Sequence, residues 1–160
     1  MLGLIRKYPG VISVDLCEEI MAKFDAYPRR SPSLIGSMGA VSRENEHLRQ
    51  STDLHITSLA THDKSWRPYD QALTGAHPAA IRKYAEDVPS TRYLSGTMGA
   101  TGIQIRCYPK DSGRYLEHID ADTLSASYRV LSGVVYLNTV EKGVETHFPY
   151  QERMVKPVQG

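Results

Sequence analysis

The hydrophobic period of the chain changes once, near Gly102, and that change narrows the folds open to it. Upstream, apolar residues fall at helical spacing; downstream they alternate or run together as in strands. From Ile12 to Tyr27 the series Ile12, Val14, Leu16, Ile20, Met21, Phe24, with acids at Asp15, Glu18 and Glu19, predicts an amphipathic helix with Ser13 as its N-cap. Residues 28–46 hold Pro28, Pro32, Gly36 and Gly39 without either period and read as loop. A second helical stretch from about Ser65 through Tyr84 is predicted to break at Pro78 and to end before Pro89. The Gly96–Gly102 run has the spacing of a phosphate loop, but it has no Lys-Ser/Thr ending and precedes a strand, so it reads as a connector. Beyond it, Ile103, Ile105 and Cys107 alternate with Gln104 and Arg106, Arg129–Asn138 is a β-rich apolar run, and Thr146–Phe148 and Arg153–Val155 read as short strands. Helices first and strands after predict an α+β domain with a mainly antiparallel sheet or sandwich and helices packed on one face, because a doubly wound fold would alternate them. The expected division within a single domain of 160 residues is a helical part over about 1–100 and a β core over about 101–160.

Composition removes several function classes. Nineteen basic against 18 acidic residues leave a formal charge of +1, which gives no electrostatic basis for nucleic-acid binding. No apolar run approaches the roughly 20 residues of a membrane span, and Met1–Lys7 turns basic too early for a secretory signal, so a cytoplasmic protein is expected. Cys17 and Cys107 are too few and too far apart for a disulfide framework or a cysteine zinc site, and both read as buried thiols.

One segment carries chemistry: Tyr108-Pro-Lys-Asp-Ser-Gly-Arg-Tyr115-Leu-Glu-His118-Ile-Asp120. Residues two apart on a strand or at its end point to one side, so His118 and Asp120 can offer an imidazole and a carboxylate to one metal ion. An oxygen-activating iron(II) centre needs one more histidine, so that two imidazoles and a carboxylate hold one octahedral face and leave three sites open.

The order of motifs resembles the prolyl 4-hydroxylase group of the iron(II)- and 2-oxoglutarate-dependent dioxygenases. The resemblance lies in Tyr108-Pro109, a glycine-containing turn, Tyr115 three residues before His118-Ile-Asp120, then Arg129, Tyr136-Leu-Asn138 and Gly143-Val-Glu-Thr146-His-Phe148-Pro149. It covers about residues 101–160, while the N-terminal part, with Arg49-Gln-Ser-Thr-Asp53 ahead of the second helix, matches in general character. The resemblance implies a double-stranded β-helix (a jelly roll, cupin-like) with iron(II) held by His118 and Asp120. It implies that Tyr108 and Tyr136 hydrogen-bond the 2-oxoglutarate cosubstrate from inside the barrel, and that Arg129 stands beside the substrate entrance. The implied activity is hydroxylation of an unactivated C–H bond, with a prolyl residue as the best-known target, coupled to decarboxylation of 2-oxoglutarate to succinate and CO2. Ascorbate is an expected auxiliary cofactor, and the expected partner is a peptide, protein or small-molecule substrate.

In relatives, the segment resembling Val155–Gly160 leads into another strand, a loop with the second histidine ligand, and a basic residue that pairs with the distal carboxylate of 2-oxoglutarate. The chain is therefore expected to be a fragment lacking its C-terminal strands, or to cover its open strand edge by homo-oligomerisation. Val144 departs from the second glycine that relatives often carry. His147 is the one histidine after Asp120 and reads as a rim or surface residue; His47, His55, His62 and His77 lie upstream without ligand-like spacing. Two other readings are a non-catalytic β-sandwich binding module of the same ancestry, and a cupin-like protein holding a different metal with His118, Asp120 and His147.

Overall fold

The computed structural model describes residues 3–28, 31–32, 49–93, 99–121, 124 and 126–160. Most of the 28–46 loop, His47 and part of the Gly96–Gly102 connector lie outside the described residues.

Helix α1 spans Val14–Ala26, and the Ser13 hydroxyl accepts from the Leu16 backbone N–H at 3.2 Å, the expected N-cap. Its Cys17, Ile20 and Phe24 fall on one face and are buried. After the two-residue strand β1 (Ser31–Pro32) come β2 (Arg49–Gln50) and β3 (Thr52–His55), which runs straight into helix α2 (Ile56–His62). A 3-10 turn at Lys64–Trp66 leads into α3, Arg67–Asp87. Helix α3 is continuous through Pro78. The proline removes one i→i−4 hydrogen bond, but it sits on an exposed face where water can serve the carbonyl left over.

Strand β4 is Gln104–Cys107 and β5 is Arg114–Tyr115; Thr146–Phe148 (β6) and Arg153–Val155 (β7) form the two expected short strands. The pairings are all antiparallel: β1, β3 and β4 form one sheet in that order, β2 pairs with β5, and β6 pairs with β7. The chain is thus a mixed helix and sheet structure whose described residues form no closed barrel. The upstream half is not purely helical, because β3 is the central strand of the largest sheet and lies opposite β4 with Leu54 facing Ile105. Arg129–Asn138 carries no assigned strand. Its end is tied instead to the last residues: Gly160 N–H donates to the Tyr136 carbonyl at 3.0 Å, and Val11 N–H donates to the Gly160 carbonyl at 2.7 Å. A β-carbon at Gly160 would lie 2.6 Å from the Ile12 carbonyl oxygen, so this crossing requires glycine.

The core joins Cys17, Ile20 and Phe24 of α1 to Ile56 and Ala60 of α2, Trp66, Leu73 of α3, and Leu54 and Ile105 of the sheet. Trp66 is fully buried, with Tyr27 and Tyr69 meeting its ring edge-on. Cys17 is buried as expected, but Cys107 is exposed, because it ends β4 beyond the inward-facing Ile105. No helix among the described residues is long and apolar enough to cross a membrane.

The N-terminal segment is held to the far end of α3. The Tyr8 hydroxyl donates to Asp87 at 2.8 Å and the Tyr84 hydroxyl to the Leu4 carbonyl at 2.7 Å. Burial first, then the bond to the Asp87 carboxylate, pushes the Tyr8 phenol up to about 12. A raised folded-state pKa favours the neutral phenol, so this contribution to stability is whole below pH 10 and is lost as pH rises through 12. The urea midpoint of the parent is expected to fall more steeply than that of Tyr8→Phe between pH 10 and 12; parallel curves would refute the coupling.

Candidate metal centre

The segment after β4 folds back on itself before it reaches the candidate ligands. Asp111 takes a left-handed conformation with φ 67°, and Gly113 N–H donates to the Pro109 carbonyl at 2.7 Å. A side chain at Gly113 would bring a β-carbon within 2.6 Å of the Pro109 oxygen and 2.8 Å of the Tyr108 carbonyl carbon, so only glycine closes this turn. The turn delivers Arg114 and Tyr115 to β5, where they pair with Gln50 and Arg49 of β2. His118 and Asp120 follow in the extended stretch and turn just past the end of β5, not on a strand.

The two side chains nevertheless converge. His118 Nε2 and Asp120 Oδ1 are 3.2 Å apart. The other imidazole nitrogen, Nδ1, lies 2.9 Å from the Leu116 carbonyl oxygen. A carbonyl has no proton to give, so Nδ1 must carry the hydrogen and donate it. In the neutral ring Nε2 is then a bare lone pair aimed at a carboxylate oxygen, and two lone pairs at this distance repel unless a cation lies between them. That cation is a proton or a metal ion.

The spacing of 3.2 Å fits an N–H···O hydrogen bond, and it also fits a shared metal ion. Two ligand atoms about 2.1 Å from one octahedral ion and at right angles to each other are roughly 3.0 Å apart. Asp120 is also prepared as an anion. Burial alone would raise its pKa, but the hydrogen bond from Ser132 to Oδ2, the neighbouring His118 and the charge of Arg106 outweigh it and hold the carboxyl below its usual range. Ser132 engages Oδ2 and leaves Oδ1 facing His118. Arg129 donates from Nη1 to the Asp120 backbone carbonyl at 3.2 Å, so it braces the turn that carries the carboxylate.

The remaining candidates divide. Tyr108 is 38% exposed, and burial of the rest of its ring raises its phenol pKa, against the lowering pull of Arg106 and Arg49. It belongs to the same electrostatic neighbourhood as Tyr115, Arg49 and Asp53. The Tyr136 hydroxyl shares a hydrogen with Thr146 Oγ1 at 2.5 Å, and no hydrogen bond or ion pair among the described residues joins it to His118 or Asp120. His147 is exposed on β6. Among the described residues no group of three His, Cys, Asp or Glu side chains gathers around one point; His118 and Asp120 are a pair without a third such side chain.

Three residues near the pair carry no individual signal in the sequence. Ser132 lies three positions after Arg129, and its role depends on a turn that brings residue 132 against residue 120. Arg49 and Asp53 are buried, 5% and 7% exposed, with Arg49 Nη2 donating to Asp53 Oδ2 at 2.7 Å. Ser51 and Gln104 donate to the same carboxylate at 2.8 and 3.1 Å. No family model matches the chain, and no curated protein or solved structure matches it.

Proposed function

We propose that this chain is an iron(II)- and 2-oxoglutarate-dependent dioxygenase resembling the prolyl 4-hydroxylases, with its strands belonging to a double-stranded β-helix. The observation that carries the reading is the His118–Asp120 pair, with Nδ1 committed to a backbone carbonyl and Nε2 offered to the same point as an ionised carboxylate oxygen. His118 and Asp120 would hold iron(II), which when bound with 2-oxoglutarate supplies oxygen activation and hydroxylation of a C–H bond.

The chain's own residues prepare that chemistry. The Leu116 carbonyl fixes the tautomer of His118, and Ser132 fixes the free oxygen of Asp120. Tyr108, 38% exposed, and Tyr136 would hydrogen-bond the cosubstrate; Tyr136 can do so while accepting from Thr146, because its own O–H is then free to donate. Arg129 holds the Asp120 turn and is followed by the exposed apolar residues Val130 and Val134; in this reading a substrate would arrive beside Arg129. A peptide, protein or small-molecule substrate and a cytoplasmic setting belong to this reading.

Anaerobic titration with Co(II), a spectroscopic substitute for iron(II), tests it. One equivalent is expected to bind, and added 2-oxoglutarate is expected to tighten binding, since a chelating cosubstrate and the protein share one ion. Binding no stronger than that of the urea-unfolded chain would overturn the reading. The surrounding surface favours a second one. Leu116, Ile119, Tyr128, Val130 and Val134 are 52–71% exposed near the pair in sequence, as a non-catalytic binding module of the same ancestry would present them. A folded chain with no Co(II) affinity would support that alternative.

A further inference from the structure

We propose that Tyr115 is a positioning residue that sets the plane of the His118 imidazole, and that the buried Arg49–Asp53 ion pair sets Tyr115 in turn. This rests on the assignment of His118 Nε2 as a metal-facing atom.

The geometry leaves one motion of His118 to be controlled. Its two polar contacts are made by Nδ1 and Nε2, so both fix points on a single line through the ring. Because Cγ lies off that line, the plane can tilt only together with the side-chain torsions, and neither polar contact bears on the ring face to oppose such a tilt. The Tyr115 ring blocks it: the two rings are stacked with centroids 3.6 Å apart and planes within 12°. Tyr115 is itself directly opposite Arg49 in the β2–β5 pair, and the Arg49 guanidinium carbon lies 5.1 Å from the tyrosine ring centroid. Arg106, opposite Asp53 in the β3–β4 pair, places a second guanidinium 5.7 Å from the same centroid.

Arg49 is held in place because its partner is. Asp53 sits on the central strand β3 with a carboxylate that accepts from Arg49, Ser51 and Gln104, all within 3.1 Å. A continuous series of contacts thus runs from β3 through Asp53, Arg49 and Tyr115 to His118. It transmits the rigidity of the sheet to a side chain that lies beyond the end of β5. A planar guanidinium serves this better than an ammonium, because it pairs with the carboxylate and lies over the ring at once.

NMR of the metal-free chain tests this without using activity. In the parent, NOEs between the ring protons of Tyr115 and His118 are expected, with the His118 ring protons displaced upfield by the stacked phenol. Tyr115→Phe keeps the ring and should preserve the displacement; Tyr115→Leu should abolish it and weaken Co(II) binding about tenfold. Arg49→Lys, which keeps charge but not the planar fork, should weaken the NOEs. No Tyr115–His118 NOE in the parent, or unchanged His118 shifts in Tyr115→Leu, overturns the role of Tyr115. Unchanged NOEs in Arg49→Lys overturn that of Arg49. If the NOE pattern holds and the parent binds no Co(II), the metal assignment fails while the positioning stands.

Discussion

Asp120→Ala and His118→Ala are each expected to lower Co(II) affinity at least about 100-fold while leaving the chain folded. The first half follows from the proposed assignment, under which His118 and Asp120 are two ligands and removing either leaves one. Changes to residues behind a ligand typically cost about 10- to 100-fold, and loss of the ligand itself must exceed that. The second half follows from exposure. The His118 and Asp120 side chains are 28% and 44% exposed, and neither belongs to the core, so each truncation should change stability by only about 0.5 kcal/mol. Asp120→Glu is the sharper test. It keeps the charge, but an added methylene displaces the carboxylate by more than the roughly 0.2 Å a metal–ligand distance tolerates, and it breaks the match of Oδ2 to Ser132. Affinity should therefore fall nearly as far as in Asp120→Ala. Titration calorimetry beside thermal unfolding separates the two effects. Parent-like affinity in either alanine variant would remove that residue from the site.

The proximity of His118 and Asp120 and part of the fold could be read from the sequence, and what separates these from the rest is physical. Helix α1 and its Ser13 cap were legible because period and cap depend on neighbours along the chain. Strands β6 and β7 were legible for the same reason, each being a short run with one β-branched residue, Thr146 or Val155, between turns. His118 and Asp120 were legible because a spacing of two places side chains together even where the backbone is merely extended. Strand β3 was not, because Thr52-Asp-Leu-His55 has no alternating apolar pattern; both of its buried residues, Asp53 and Leu54, are adjacent, and one is charged. Only pairing on both sides makes those four residues a strand. Pro78 misled for a related reason, since the cost of proline inside a helix depends on whether water reaches the freed carbonyl. Arg129–Asn138 has strand composition, but a strand is defined by a partner, and its final residues take the Gly160 end of the chain instead.

Asp53→Ala is expected to cost about 3–5 kcal/mol, the range for breaking a buried ion pair from one side. The loss is large because the substitution strands three donors at once. Arg49, 5% exposed, loses the carboxylate 2.7 Å from its Nη2, and the Ser51 hydroxyl and Gln104 amide lose their acceptor. For a domain stable by about 5–15 kcal/mol this is a substantial fraction, and it should appear as a lower urea midpoint with an unchanged slope. Replacing both partners, Arg49→Met with Asp53→Leu, removes the desolvated charges and fills similar volume, so most of the lost stability should return. A single variant losing less than about 1 kcal/mol, or a double variant no better than the single, would show that the pair is not the determinant of this region. The double variant also separates stability from geometry. It restores packing around β3 but places no guanidinium over Tyr115, so its His118 ring protons should remain displaced from their parent positions even where its urea midpoint recovers. A buried ion pair that an apolar pair can replace for stability, but not for the orientation of a histidine beyond the sheet, is one retained for the position it imposes.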